Sequence, residues 1–174
     1  NVFRDNCDRI GVPVPCHCSV SKVEIPSAME GVPFPWVVKP ADAQSSVGVA
    51  KVNNESEYIT AVKYAIEVSK TNTAIVEQFF KGQELVAEGF IYKGKYYNLG
   101  FADRKYFDLE GLFIPSQTLF PSVVPQHILE TIIECEEKMS AYVKPAFAIV
   151  HSEYLYNAET DKICIVESAL RGGG

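Results

Sequence analysis

Two glutamates near the end of the sequence, Glu153 and Glu167, are the residues whose types and spacing point most directly to chemistry. Each lies in an apolar run, "FAIVHSEYLY" (147–156) or "KICIVESAL" (162–170), and a five-residue polar turn joins the two runs. Because side chains alternate along a strand, the odd-numbered residues of each run share a face. A hairpin built from these runs therefore brings both carboxylates to one face of a sheet.

The simplest register for this hairpin pairs Tyr156 with Lys162, which places Glu167 opposite His151. The two carboxylates are then diagonal neighbours, roughly 7–8 Å apart or closer. A register shifted by two residues would set them directly opposite each other. Neighbouring carboxylates repel, so a proton, a basic side chain or a divalent cation must neutralise them. Mg²⁺ suits the place, because it is usually held by one or two carboxylates plus substrate phosphates.

A basic residue, Arg171, follows the second glutamate, and three glycines end the sequence. If the strand continues as far as Arg171, its guanidinium lies on the face of the two acids and can hold a phosphate oxygen or a developing negative charge. The alternative is a wetted sheet face on which Arg171 is a salt-bridge partner of Glu153 and Glu167. Glycine lets a ligand approach the backbone closely, which favours the first interpretation.

The elements that must position these residues are strands, hairpins and two main helices. Strand patterns cover five earlier segments: 35–40, 47–52, 74–80, 85–92 and 95–106. Helical periodicity predicts helices over 56–70 and 127–143, and a further one that stops at Gly11. Residues 108–125 contain three prolines and predict a long loop. Adjacent hairpins imply antiparallel pairing with helices covering one face, which is an α+β protein.

The buried stripe of each main helix follows from its apolar spacing. We expect Ser56 to lie near the N-terminal cap of the first helix. The residues expected to face the core are Ile59, Val62 and Ile66 in the first helix and Leu129, Ile132, Ile133 and Met139 in the second.

Composition bounds the class of protein. The net charge of −6 argues against nucleic acid or an anionic membrane as the main partner. No apolar run reaches the length of a membrane span, and no signal-peptide pattern opens the sequence. The five cysteines form no disulfide ladder, so we expect reduced thiols and a cytoplasmic protein. Cys16-His17-Cys18 lacks a second ligand cluster and is interpreted as a coincidence.

The order of five motifs resembles the ATP-grasp superfamily of carboxylate–amine ligases, including L-amino-acid ligases and proteins similar to the ATP-binding domain of carbamoyl-phosphate synthetase. The motifs are "VVKP", a small-residue loop ending in glycine, "VEQFFKGQE", "HSEY" and "VESALRGGG". They span nearly the whole sequence. The resemblance implies two lobes of antiparallel sheet with helices packed on one face and a nucleotide between them. We expect a helix and linker over 1–18, a small lid subdomain over 19–77 and a large subdomain over 78–174.

The resemblance also implies roles for residues at the matching positions. Lys39 would hold the α- and β-phosphates of ATP, and a loop with Ser45, Ser46 and Gly48 would close over them. Glu84 would take the ribose hydroxyls. Residues of a hinge would read adenine through their backbone: Glu77, Gln78, Phe79 and Phe80. Apart from the resemblance, Lys39 could be a solvated lysine at a strand end, and Glu84 a surface turn residue.

For the reacting end of ATP, the resemblance implies that Glu153 and Glu167 bind Mg²⁺ or Mn²⁺. Arg171 would stabilise the transferred phosphoryl group and an acyl phosphate. The sequence departs from the family pattern in a glycine-poor phosphate loop and in Ala169, where the family often has asparagine. Arg104 could reach a substrate carboxylate or form a salt bridge at the hairpin edge, and His151 could be a packed residue or a ligand.

The predicted function is an ATP-dependent ligase that joins a carboxylate to an amine through an acyl phosphate. The alternative is a catalytically silent nucleotide-binding module. A kinase-like lobe is a third reading, since a strand-borne lysine is shared, but no "HRD" or "DFG" follows. The predicted partners are ATP, a small carboxylate and an amine, with no nucleic acid and no membrane, and a homodimer is compatible with the sequence.

Overall fold

A computed structural model of the protein describes residues 2–43, 47–107 and 114–172. These residues form three α-helices and nine strands in two antiparallel sheets, which confirms the predicted α+β class. Helix α1 (Val2–Arg9) opens the chain. None of the helices in these ranges combines the length and the apolar character that a bilayer-spanning helix needs.

The contacts divide the chain into two compact units. The first unit is formed by Pro15–Phe79 together with the start of the chain as far as Arg4. The second unit begins at Phe80 and also includes Asp5–Val14. Each unit contains one of the sheets, and each is described below by itself.

The first sheet has four strands: β1 (His17–Val20), β2 (Trp36–Pro40), β3 (Ala50–Val52) and β4 (Ala74–Gln78). Their order is β1-β4-β2-β3, so β4 and β2 are the two central strands. The apolar side chains of this unit form one core that includes Val38, Val76 and the ring of Trp36. The central strands are therefore fixed by packing as well as by their hydrogen bonds.

Helix α2 (Glu55–Val68) packs on this sheet, but its buried stripe differs from the one predicted. The N-cap is Asn54, whose side chain accepts a hydrogen bond from the Glu57 amide, and Ser56 lies near it as predicted, in the first turn. The buried residues are Tyr58, Val62 and Ala65, whereas Ile59 is exposed and Ile66 is half-buried. The Tyr58 ring meets Trp36 edge-on at 5.5 Å, and this aromatic contact accounts for the rotation of the stripe.

The second sheet has five strands: β5 (Gln83–Tyr92), β6 (Lys95–Tyr106), β7 (Pro115–Leu119), β8 (Phe147–Asn157) and β9 (Lys162–Ala169). Their order is β7-β6-β5-β8-β9, so β5 is the central strand. Strand β7 lies inside the segment 108–125, which the sequence predicted as a loop without structure of its own. The three prolines of the segment favoured a loop over a strand. A strand at the edge of a sheet can nevertheless contain proline, because only one of its sides must form hydrogen bonds.

Three register shifts occur in this sheet: one lies between Lys105 and Tyr106, where β6 pairs with β7, and the other two set the register of the β5–β6 and β8–β9 hairpins. Between β5 and β6, Gly89 pairs with Asn98 but Glu88 pairs with Gly100, so Leu99 is the extra residue. Between β8 and β9 an equivalent shift occurs between Glu153 and Tyr154. Each bulge shifts the pairing register of the rest of its strand by one residue, and this shift determines which side chains lie opposite one another.

The bulge in β5–β6 is accompanied by a close approach of a ring to the backbone. A Cβ atom added to Gly89 would lie 2.4 Å from the ring of Tyr96. Any larger residue beside this bulge would therefore require the buried Tyr96 ring to move.

Helix α3 (Gln126–Val143) belongs to the second unit and buries a stripe centred on Ile132. Ile128, Cys135, Glu136 and Ser140 complete the stripe, while the predicted Leu129, Ile133 and Met139 are only half-buried. The predicted stripe was shifted because it counted apolar residues alone, whereas the core also contains a polar pair. The Tyr154 hydroxyl of β8 donates a 2.8 Å hydrogen bond to Glu136, which is 2% exposed.

Glu136 is a buried acid that no basic side chain contacts among the described residues. Burial raises the pKa of Glu136 above its usual value, and hydrogen bonds from Ser152 and Tyr154 offset only part of that rise. A group with a raised pKa in the folded state stabilises the fold below its unfolded-state pKa, and this contribution is lost as pH rises through the folded-state value.

We therefore expect Glu136→Gln to remove a pH-dependent part of the stability. Wild-type protein should lose on the order of 1 kcal/mol of unfolding free energy relative to the variant as pH rises from acidic to alkaline values. Urea unfolding followed by circular dichroism at several pH values measures this difference. Glu137→Gln, at the adjacent exposed position, is the matched control. Parallel pH profiles for wild type and Glu136→Gln would contradict the assignment.

Candidate functional site

One face of the second sheet holds charged side chains on three neighbouring strands. Strand β5 contributes Glu84 and Glu88, β6 contributes Arg104, and β8 contributes His151 and Glu153. The pairing accounts for the arrangement, since Glu84 lies opposite Arg104 and Glu88 lies opposite His151. Directly opposite residues share a face, so these groups form one cluster.

The two predicted metal ligands face each other across β8 and β9. Glu153 pairs directly with Glu167, and His151 pairs with Ala169. The predicted shared face of the acids is confirmed, but the predicted register was wrong, because Tyr156 pairs with Ile163 rather than with Lys162. The bulge supplies the remaining shift and makes the carboxylates direct neighbours. Glu153 is half-buried and Glu167 is exposed.

Arg104 joins two of the acids on this face. Its Nη1 donates hydrogen bonds to Oε1 of Glu84 at 2.7 Å and to Oε1 of Glu153 at 2.5 Å. The side chains are largely buried, at 14% exposed for Arg104 and 21% for Glu153. The Tyr106 hydroxyl also donates to Glu84. The sequence left two roles open for Arg104, a contact with a substrate carboxylate or a salt bridge. The structure shows the salt bridge, and the acids that form it lie on the same face of the sheet.

The charges within this cluster alter one another's pKa values. Burial raises the pKa of Glu84, and the negative charge of Glu153 raises it further, against the hydrogen bond from Tyr106 and the charge of Arg104. Burial lowers the pKa of Arg104, but Glu153 and Glu84 outweigh it and raise that pKa. The guanidinium is therefore a permanent cation that offsets two neighbouring acids.

His151 is buried and lies between two carboxylates. Its Nδ1 is 2.6 Å from Oε1 of Glu88, and its Nε2 is 3.4 Å from Oε1 of Glu153. The structure thus shows the hydrogen-bonded histidine that the sequence left as one of two alternatives. The Glu88 contact fixes the ring beside the proposed metal ligand.

Arg171 lies beyond the end of β9, which stops at Ala169. The sequence placed Arg171 on the face of the acids only if the strand continued, and that condition is not met. Its guanidinium is exposed, and Nη1 donates to the Gly172 carbonyl oxygen at 2.8 Å. Its proposed catalytic role therefore needs a different position of the side chain from the one seen here.

The donor chemistry of Glu153 and Glu167 fits a divalent cation. The two carboxylates are direct cross-strand neighbours, and Oε2 of Glu153 has no hydrogen bond to any described residue. Arg104 already places a positive group beside Glu153. No three His, Cys, Asp or Glu side chains are grouped for a metal in the ranges that the structure covers. Two carboxylates with phosphate oxygens as further ligands match the usual coordination of Mg²⁺.

In the first unit, the predicted phosphate-binding lysine is held by a buried acid. Nζ of Lys39 on β2 lies 2.9 Å from Oε2 of Glu77 on β4. Arg4 also reaches this carboxylate, with Nε 2.8 Å from Oε1 and Nη2 3.3 Å from Oε2. Burial raises the pKa of Glu77, but Lys39 and Arg4 outweigh burial and hold it below its usual value. Glu77 is therefore an ionised anchor for two cations.

Two backbone amides of the predicted hinge, residues 77–80, already form hydrogen bonds. The amide of Gln78 donates to the Cys16 carbonyl at 2.8 Å, and the amide of Phe79 donates to the Pro35 carbonyl at 3.0 Å. Nζ of Lys51 lies 4.2 Å from the centre of the Phe79 ring. Phe80 begins the second unit and is half-buried.

Only part of the predicted phosphate loop can be described. Ser45 and Ser46 lie outside the described residues. Gly48 has a φ of +75°, in the left-handed region that favours glycine, and an added Cβ would lie 2.7 Å from Cγ of Pro40. Any other residue at position 48 would be strained.

Three residues of these clusters were missed by sequence reasoning: Arg4, Glu88 and Tyr106. A signal existed for Tyr106, which alternates with Arg104 on one face of a strand that was predicted correctly. Arg4 pairs with Glu77, which is 73 positions away, and no local sequence pattern predicts such a contact. Glu88 became visible only once its pairing with His151 was known.

Comparison with known proteins gives one family and a consistent set of folds. The family model described as D-ala D-ala ligase C-terminus matches residues 8–144. A D-alanine–D-alanine ligase of Anaplasma marginale (strain Florida) is 29% identical over 140 residues, covering 75% of this chain. The chain spans only 39% of that relative's length.

Two solved structures resemble the chain in fold. D-alanyl-alanine synthetase A from Vibrio cholerae has a TM-score of 0.79 at 20% identity, covering 97% of this chain and 53% of its own. An L-amino acid ligase from Bacillus licheniformis has a TM-score of 0.78 at 19% identity, covering 98% of this chain and 39% of its own.

The contacts of Glu77 predict a large loss of stability in Glu77→Gln. The change leaves Arg4 and Lys39 without their carboxylate, so we expect the first unit to lose about 3 kcal/mol of unfolding free energy. Trp36 is the only tryptophan in the sequence and lies in the same sheet, so its fluorescence during urea unfolding reports on this unit. Glu67→Gln, at an exposed position of α2, is the control and should change stability by less than about 0.5 kcal/mol.

The lowered pKa of Glu77 adds a pH dependence with a defined sign. Its contribution to stability is present above the unfolded-state pKa and is lost as pH falls through the folded-state value. The stability gap between wild type and Glu77→Gln should therefore narrow in acid. A gap that stays constant or widens as pH falls would contradict the ion-pair assignment.

Proposed function

The chain belongs to the family of D-alanine–D-alanine ligase C-terminal domains, and from this premise we propose that it is the ATP-binding part of a ligase that joins a carboxylate to an amine. The proposal rests chiefly on one observation, the direct pairing of Glu153 with Glu167 beside Arg104. Such a pair suits a divalent cation that also binds phosphate. The activity of the whole protein is part of the proposal, because the chain spans only part of its relatives' length.

For the nucleotide, we assign the phosphates of ATP to Lys39 and to the loop of Ser45, Ser46 and Gly48. The contact with Glu77 supports the role of Lys39, since it fixes the ammonium on a central strand. Adenine would be read by the backbone of Glu77, Gln78, Phe79 and Phe80. Because the amides of Gln78 and Phe79 already donate within the first unit and Glu77 is paired on both sides of β4, the Phe80 amide is the donor left for this task.

Glu84 would accept hydrogen bonds from the ribose hydroxyls. Its carboxylate is already held by Arg104 and Tyr106, and this support fixes its orientation. Each carboxylate oxygen has two lone pairs, so Glu84 can accept further bonds while keeping these two. We also propose domain limits of 1–18, 19–77 and 78–174, a cytoplasmic location and a homodimer.

Glu153 and Glu167 would hold Mg²⁺ or Mn²⁺. Bound there, the ion would offset phosphate charge during phosphoryl transfer. Glu88 and His151 would keep Glu153 in position, because His151 lies against Oε1 of that carboxylate. Arg171 would turn toward the transferred phosphoryl group and stabilise its charge.

The proposed reaction has two steps. The substrate carboxylate attacks the γ-phosphorus of ATP, giving an acyl phosphate and ADP. The amine then attacks the acyl carbon, phosphate leaves, and the amine loses a proton as the amide forms. Amino acids are the proposed source of both groups, since relatives are named as D-alanine–D-alanine ligase and L-amino acid ligase.

A second candidate is a nucleotide-binding module without chemistry. Ala169 favours it, because this apolar residue lies directly across from His151 and adds no ligand to the cluster. The two candidates differ in whether ADP is released. Release of ADP that needs Mg²⁺, measured on a full-length polypeptide containing this chain, would support the ligase. Binding of ATP without such release would support the module.

Calorimetry with ATP should separate the roles of the two units. We expect Glu153→Gln to weaken ATP binding about tenfold or more in Mg²⁺, and to leave binding without Mg²⁺ unchanged or tighter, because a negative charge near the phosphates is removed. Lys39→Gln should weaken binding in both conditions. Glu137→Gln, on the exposed side of α3, is the control. Equal binding by wild type and Glu153→Gln in Mg²⁺ would reject the metal assignment.

A further inference from the structure

The proposed metal ligand Glu153 is already paired with a cation of the protein. Nη1 of Arg104 lies 2.5 Å from Oε1 of Glu153 and 2.7 Å from Oε1 of Glu84. These two acids are the ones assigned above to the metal and to the ribose. The inference that follows rests on the proposed function, because it concerns the order in which the same site is filled.

Arg104 has a buried donor that the structure leaves unused. Its Nε is buried and has no hydrogen-bond partner within the described residues. A buried donor without a partner loses its hydration and gains nothing in return. The guanidinium thus contacts the two acids through Nη1 alone and keeps a buried donor, Nε, which a phosphate or hydroxyl oxygen could satisfy if the side chain moved away from Glu153.

The position of Arg104 changes the electrostatics that a metal ion meets. A free divalent cation approaching Glu153 meets a carboxylate whose charge is offset and a guanidinium that repels it. A cation that arrives with a polyphosphate brings negative charge and acceptor oxygens, so the guanidinium loses little when it gives up its bond to Glu153.

We propose that Arg104 is a built-in counter-ion that keeps free divalent cations out of the site, so that the metal enters only together with the nucleotide. The guanidinium forms its ion pair with Glu153 in the absence of nucleotide. When ATP binds, its phosphates would accept hydrogen bonds from Arg104, and Glu153 would then be available to coordinate the metal. Arg104 is in this sense a positioning residue that makes metal binding conditional on nucleotide binding.

A purely structural tie between β5, β6 and β8 would use the same contacts. It differs in one respect, because it requires no relation between Arg104 and the affinity for free metal. The affinity for a metal ion in the absence of nucleotide is therefore the quantity that tests the proposal.

The probe is Mn²⁺ alone, with binding followed by the loss of the free Mn²⁺ paramagnetic resonance signal. Arg104→Gln should bind Mn²⁺ about tenfold or more tightly than wild type. Lys105→Gln is the matched control, because it removes the same charge from the next residue of β6, which is exposed on the other face. It should leave the affinity within about twofold of wild type.

Two further measurements keep the test decisive if Arg104→Gln does not fold. Arg104→Lys retains the charge, but its shorter side chain lacks the planar guanidinium that places Nη1 between the two acids, so its Mn²⁺ affinity should lie between those of wild type and Arg104→Gln. Wild type itself should bind Mn²⁺ at least about tenfold more tightly with ADP present than without, after correction for the Mn²⁺–ADP complex in free solution.

The outcomes separate this inference from the proposed function. If wild type binds Mn²⁺ and ADP together but Arg104→Gln and wild type bind Mn²⁺ alone equally well, the counter-ion role is overturned and the proposed function stands. If wild type binds Mn²⁺ alone as tightly as it does with ADP, the counter-ion role is likewise overturned. If wild type binds neither ADP nor ATP under any condition, both proposals are overturned.

Discussion

The structure depends on the neutralisation of carboxylates that the sheets hold away from water. In the first unit, Glu77 is balanced by Lys39 and Arg4, and in the second unit Glu84 and Glu153 share Arg104. A buried ion pair contributes little net stability, but the loss of one partner is costly. The acids therefore act as fixed anchors, and they determine where the cations of each unit can be.

Glu136 shows what happens when a buried acid has no such cation. It lies on the other side of the second sheet, under α3, where it accepts a hydrogen bond from Tyr154. Burial raises the pKa of Glu136, whereas the cations around Glu77 lower the pKa of that acid. The same residue type thus has a raised pKa in one place and a lowered pKa in the other, because Glu77 has cationic partners to outweigh its burial and Glu136 has only hydrogen bonds.

Much of the fold could be predicted from the sequence because periodicity and motif order are local signals. The α+β class and the ATP-grasp fold are confirmed. The shared face of Glu153 and Glu167 was predicted correctly although the register near the turn was not, because the bulge between Glu153 and Tyr154 makes up the one-residue difference. Three features could not be predicted. Strand β7 is an edge strand in a segment whose prolines are typical of a loop, the helix stripes depend on Tyr58 and Glu136, and the Arg4–Glu77 pair joins distant segments.

The bulges in the β5–β6 and β8–β9 hairpins limit how this chain can vary in length. Leu99 and Val166 have no partner residue on the strand that pairs with theirs. Each can therefore be replaced by another residue, but neither can be deleted. Deleting either residue would swap the inward and outward sides of half a strand, burying charge beneath α3 and exposing apolar groups. We therefore expect homologous sequences to tolerate exchanges at these two positions but not gaps, which makes spacing, rather than residue identity, the diagnostic feature of this hairpin pair.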